Sequence, residues 1–150
     1  MAALTEQDWQ IQLFIYNFFV ENERPPTYQE AAAAFGLGDE DGRETYQRLN
    51  DFHTIFLDPG TSNIRIANPL SAIPTNYLVK INGKRLWANC AWDSLGIPAM
   101  LGADATIEAT LPLSGERVTY AVRDGALIAD GGLVHFPLPF TQWYDDLIYT

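Results

Sequence analysis

Between Trp9 and Val20 the apolar residues Trp9, Leu13, Tyr16 and Val20 recur at spacings of three and four, and Ile11, Ile15 and Phe18 widen the stripe. That period predicts an amphipathic helix over residues 5–21. Thr5 is its candidate cap, with Asp8 three residues on in the manner of a capping box. Glu23-Arg24-Pro25-Pro26 ends it. Thr27-Tyr28-Gln29-Glu30 has capping-box form again, so a short helix follows through Ala31–Phe35 and stops at Gly36. A third helix is expected from about Asp39 to His53, with Tyr46, Leu49 and Phe52 on one face. The pattern then switches to alternation: Ile55-Phe56-Leu57, a turn at Asp58-Pro59-Gly60-Thr61, and Ile64-Arg65-Ile66 read as a β-hairpin. Three short helices and a hairpin make a winged-helix-like arrangement over residues 1–67.

Asn68-Pro69-Leu70-Ser71-Ala72-Ile73-Pro74-Thr75 reads as a linker, its two prolines disfavouring helix. Residues 68–150 then form a second domain, rich in strands. Tyr77–Ile81 and Arg85–Trp87 flank Asn82-Gly83, a strong hairpin signal. A helix carrying Cys90 begins near Asn89, is interrupted at Gly96 and restarts at Pro98. Strands are expected at Thr106–Leu111, Val118–Val122 and Leu133–Phe136, with turns at Ser114-Gly115, Asp124-Gly125 and Gly131-Gly132. The fold class is α+β: a winged-helix-like three-helix bundle with a hairpin, then a mixed or antiparallel sheet domain with a short cysteine-bearing helix.

Charge narrows the partners. The 150 residues carry a formal charge of −10, which opposes sequence-independent nucleic-acid binding and docking on an anionic membrane. The third helix opens with Asp39-Glu40-Asp41, which would face phosphates with like charge, so a DNA-binding regulator is the least favoured role. The longest apolar run, Leu13-Phe14-Ile15-Tyr16, is far too short to span a bilayer. The N-terminus lacks the basic start of a signal peptide, and one cysteine makes no internal disulfide. A cytoplasmic location is expected.

That cysteine is also the strongest chemical signal. Cys90 precedes Asp93 by three residues, which puts thiol and acid on one helix face. Near a helix N-terminus the backbone dipole favours a thiolate. The alternative for Cys90 is a small buried hydrophobe, and for Asp93 a solvated or turn-capping acid. Trp87 and Trp92 flank the cysteine as core packing or as walls of an apolar pocket. His135 lies in an alternating stretch and reads as a strand histidine rather than a base; His53 closes the third helix, where a cation suits the dipole. Asp145-Asp146 reads as solvated surface. There is no Cys-x-x-Cys, no His-x-x-x-His and no glycine-rich phosphate loop, so neither a closed zinc site nor nucleotide binding is supported.

The run Asn68–Thr75 followed by Trp87-Ala88-Asn89-Cys90-Ala91-Trp92-Asp93-Ser94-Leu95-Gly96-Ile97-Pro98-Ala99 resembles the alkylmercury lyase (organomercurial lyase) family, in its short lyase-like branch. The resemblance implies protonolysis of a carbon–mercury bond, giving a hydrocarbon and Hg(II), with no resident cofactor. Cys90 matches the family's first cysteine, the mercury-binding nucleophile, and Asp93 its aspartate, the proton carrier. Mercury and thiolate are a soft pair, and a leaving carbanion needs a proton donor. The family's second cysteine has no counterpart in these 150 residues; its expected position falls at or just past Thr150, so either the chain is cut short relative to its relatives or it lacks the residue outright, and an external small thiol would then fill the gap. The partner implied is an organomercurial or another thiophilic small molecule. The alternative role is a non-catalytic thiol or heavy-metal sensor or interaction protein.

Overall fold

The structure is a computed structural model and describes residues 3–136 and 138–143. It is α+β, with four α-helices and eight strands among those residues. The chain divides into two compact units, Met1–Ile73 and Pro74–Thr150.

In the first unit, helix α1 (Glu6–Asn22) starts where the sequence places a cap. Asp8 N–H donates to Thr5 Oγ1 at 3.1 Å and Thr5 N–H to Asp8 Oδ2 at 2.8 Å. Helix α2 (Tyr28–Phe35) repeats the device with Thr27 and Glu30, and ends on Gly36 at φ +66°. Arg24 clamps the same Glu30 carboxylate with two guanidinium nitrogens. Helix α3 (Asp39–Asp51) crosses α2 at Gly42, where a Cβ would stand 2.8 Å from the Ala32 Cβ. Only hydrogen fits at that crossing.

The buried face of α1 is not the Trp9–Val20 stripe. Asp8, Ile11, Ile15 and Phe19 are buried, whereas Trp9 is 50% and Leu13 62% exposed. The helix is apolar on most sides, so two faces carry equally regular spacing. The face that wins includes an acid because that acid has partners: Asp8 Oδ1 accepts from Arg48 at 2.8 Å, and Arg48 also holds Thr45 Oγ1. Burial on its own raises the Asp8 carboxyl, but the Arg48 guanidinium and the Thr5 donors outweigh it, and the net shift is downward. Tyr46 and Leu49 complete this core with Ile55, while Phe52 is only the partly exposed cap of α3.

Two further expectations are corrected here. His53 does not close α3; it follows the cap in the left-handed region at φ +56° and stacks on Phe56. The stretch after Ala67 is not a plain linker. Strand β1 (Phe56–Leu57) pairs antiparallel with β2 (Ile64–Ala67), and β2 turns through Asn68-Pro69 into β3 (Leu70–Ser71), which pairs back on it. Leu70 is fully buried, and that apolar burial holds the return strand against the prolines flanking it.

In the second unit, strands β4 (Tyr77–Ile81), β5 (Lys84–Ala88), β6 (Ala105–Thr110), β7 (Arg117–Arg123) and β8 (Ala126–Ile128) form an antiparallel sheet in the order β5-β4-β6-β7-β8. The β4–β5 turn places Asn82 and Gly83 at φ +49° and +74°, the left-handed pair that a two-residue hairpin requires. Pairing of Val79 with Leu86 and Ile107, and of Ile107 with Tyr120, puts these side chains on one face. Helix α4 (Ala91–Leu101) packs on the unit's strands with Ser94 and Ile97 fully buried. The helix is not interrupted at Gly96. Pro98 lies inside it, and burial of Ile97 and Pro98 outweighs the one backbone bond that proline cannot donate. Among the described residues the last strand is Ala126–Ile128 rather than Leu133–Phe136, which is irregular, and Gly131-Gly132 is no turn. None of the described helices is long and apolar enough to cross a membrane.

Asp8→Asn is expected to cost about 2 kcal/mol, since it weakens both the capping box and a charged hydrogen bond. Because the folded carboxyl is depressed below 3.8, its contribution is present above that pH and lost as pH falls through the folded value. Urea unfolding of the variant and parent at pH 7 and in acid checks both. Gly42→Ala is expected to destabilise by about 1–3 kcal/mol through overpacking, although alanine is the better helix former by about 1 kcal/mol. A gain of stability would contradict the crossing described above.

Candidate active site

Cys90 is the N-cap of α4, with extended backbone at φ −144°, and Asp93 is the third helical residue. This is the spacing of the boxes at Thr5–Asp8 and Thr27–Glu30, with a thiol in place of the hydroxyl. The box is not closed as it is at Thr5 and Thr27, because the Cys90 side chain makes no capping hydrogen bond. Its S–H points instead at the carboxylate, with Sγ 3.3 Å from Asp93 Oδ2. The structure therefore brings the two sequence candidates together.

The expected thiolate is corrected. Burial and then the negative charge of Asp93 push the Cys90 thiol from 9.0 up to about 11, and the first-turn amides of Asp93 and Trp92 pull the other way too weakly to offset them. Asp93 is itself raised by burial, opposed by the bonds from Cys90 and Asn89. At neutral pH Cys90 is thus a neutral thiol whose S–H donates to the half-buried Asp93 side chain.

Three residues that the sequence reading overlooked lie near this pair. Ser94, fully buried, donates from Oγ to the Ala91 carbonyl at 2.6 Å and lies 2.6 Å from the Tyr120 hydroxyl. Tyr77 and Tyr120 are both raised, by burial first and also by the proximity of Cys90. Register could have found them. Tyr77 and Tyr120 alternate onto the sheet face that bears Val79 and Ile107.

The tryptophans separate. Trp87 pairs with Leu78 on the opposite face of the sheet and lines a groove of about 400 Å³ with Leu78, Glu108, Arg117 and Thr119. Neither Cys90 nor Asp93 borders it, so Trp87 is not a wall of the thiol site. Trp92 is 56% exposed and meets the edge of Phe136 at 6.0 Å, and Phe136 stacks on Trp143 at 5.2 Å. An aromatic group thus rests on the outside of the α4 N-terminus. His135 is exposed and in no strand. Among the described residues no group of three or more His, Cys, Asp or Glu side chains is placed to hold a metal ion. The expected place of a second cysteine, and Asp145-Asp146, lie outside the described residues.

A hydrogen-bonded thiol and carboxylate thus stand at the N-terminus of α4, in a unit built on an antiparallel sheet. The family model for alkylmercury lyase, MerB, matches residues 70–147, and the chain belongs to that family. A solved structure of the mercury-bound form of MerB2 matches with a TM-score of 0.66 at 25% identity, covering 83% of this chain and 59% of that one. The chain therefore spans less than two thirds of that relative's length. No curated protein sequence matches it.

Alkylation of Cys90 by iodoacetamide is expected to accelerate with an inflection near pH 11, and Asp93→Asn to bring the inflection down toward 9 by removing a like charge. The linked stability has a fixed sign: a raised thiol contributes fully below pH 9 and its contribution is lost as pH rises through 11. An inflection at or below 8 in the parent would refute the burial argument.

Proposed function

We propose that this chain acts on organomercurials by protonolysis, with Cys90 as the mercury-binding nucleophile and Asp93 as the proton carrier. The observation that carries this reading is the 3.3 Å contact between thiol and carboxylate. As the sulfur of Cys90 bonds to the mercury of R–Hg–X, X leaves as the anion and the S–H proton passes to Asp93. The pair is suited to this, because the proton is already aimed at Oδ2. Sulfur then donates electron density to mercury and weakens its bond to carbon. Asp93, now protonated and half-buried, delivers that proton to the departing carbanion as R–H. In this reading the second sulfur on Hg(II) is that of an external small thiol. Exchange with two thiols returns Cys90 to S–H and carries mercury away as the bis-thiolate; the sum is R–Hg–X plus two thiols giving R–H, HX and the mercury bis-thiolate.

A single cysteine also favours a second reading, stoichiometric capture without turnover. Incubation with an organomercurial and excess small thiol separates the two. Hydrocarbon release, measured in the headspace, is expected to exceed one equivalent, to vanish in Cys90→Ala, and to fall about 100-fold in Asp93→Asn while that variant still captures mercury. Capture of one equivalent with no hydrocarbon would establish the sensor reading and end the lyase one.

A further inference from the structure

The Tyr120 hydroxyl plays no part in the chemistry above, yet it reaches the turn of helix that carries the reacting pair. Ser94 follows Asp93 directly and has one hydroxyl proton, which goes to the Ala91 carbonyl, an acceptor only, at 2.6 Å. The 2.6 Å contact between Ser94 Oγ and Tyr120 Oη must therefore run from the phenol to the serine. The direction of the chain is fixed: Tyr120 O–H to Ser94, Ser94 O–H to Ala91 C=O. It ties β7 of the sheet to the first turn of α4, between Cys90 and Asp93 at one end and a fully buried Ser94 at the other.

We propose that Tyr120 and Ser94 are positioning residues, a clamp that holds the first turn of α4 so that the Asp93 carboxylate stays within hydrogen-bond reach of the Cys90 thiol. The need for it is local. Cys90 makes no side-chain cap, and an N-terminus without one frays most easily in the turn where Asp93 stands. The clamp replaces the missing restraint from the sheet side. It rests on the reading of Cys90 and Asp93 as the reacting pair, but its own test needs no mercury.

The measurement is the infrared S–H stretch of the purified full chain, a single band because the sequence holds one thiol. Asp93→Ala, which removes the acceptor, marks the unbonded position. Tyr120→Phe and Ser94→Ala, each cutting the clamp from one side, are expected to move the band toward that position while circular dichroism melting shows both variants folded. Ser94→Ala removes a single oxygen and keeps the comparison open should loss of the phenol prevent folding. A band that stays at the parent frequency in a folded variant would overturn the clamp, whatever the lyase assay gives. In that assay both variants are expected to lose about tenfold in kcat, with KM for the organomercurial within twofold, since misplacement of the proton carrier slows transfer without blocking capture. A parallel loss in kcat, KM and melting temperature would mark a merely structural contact and also overturn it.

Discussion

The S–H···carboxylate contact between Cys90 and Asp93 depends on helix geometry that the chain uses three times. At an N-terminus, the cap residue and the third helical residue face each other across one turn, so their side chains can exchange hydrogen bonds with each other's backbone. Thr5 with Asp8 and Thr27 with Glu30 spend that proximity on stability, with both halves of the box closed. Cys90 with Asp93 closes no such box: the Cys90 side chain makes no capping hydrogen bond and meets the acid directly. A thiol is a weak hydrogen-bond acceptor, so the sulfur is left free to turn its proton toward the acid. One geometry thus serves as a restraint at two helices and as a thiol–carboxylate contact at the third.

The electrostatics of that pair runs against the simplest rule for cysteines at helix N-termini. The dipole and amides do act on Cys90 in the direction of a thiolate, but burial and the adjacent carboxylate act more strongly the other way. The consequence for the proposed reaction is that its proton is not borrowed from solvent. In that proposal it arrives with the thiol, crosses the 3.3 Å to Asp93 when a soft metal displaces it from sulfur, and leaves with the hydrocarbon. A preformed thiolate would bind mercury as well, yet it would bring no proton, and a half-buried Asp93 would have to collect one from outside.

What could be read along the chain and what could not divides by range. Caps, the Asn82-Gly83 turn and the Cys90–Asp93 spacing are local, and each lies where three or four consecutive residues place it. The core face of α1 is not local: only the distant Arg48 makes Asp8 a tolerable buried residue and so selects Ile11, Ile15 and Phe19 over Trp9 and Leu13. Strand β3 depends on burial of Leu70 inside a proline-flanked stretch, which composition alone reads as linker. Ala126–Ile128 and Leu133–Phe136 have similar apolar patterns; the tight Asp124-Gly125 turn returns the first to β7. Which of its two readings Trp87 takes is not local either. It sits in a strand whose faces alternate, and the chain leaves that strand before Cys90, so sequence proximity to the thiol says nothing about side-chain direction. Tyr77 and Tyr120 stayed hidden because their relation to Cys90 exists only once the sheet is in register.

Putting a reactive residue at an N-cap removes a group that ordinarily stabilises a helix by about 1 kcal/mol, and α4 also carries Gly96 and Pro98 in its interior. Three features that each weaken a helix occur within nine residues, in the element that must hold the site most firmly. Local propensity therefore does not account for α4. Its rigidity comes from outside: Ile97 and Pro98 buried, the Ser94–Tyr120 hydrogen bond, and Trp92 resting on Phe136. The buried hydrogen bond alone is of the same order, about 1 kcal/mol, as the missing cap. Helix α4 is held by its surroundings rather than by its own sequence, and this leaves Cys90 without a capping duty that would compete with the role proposed for it.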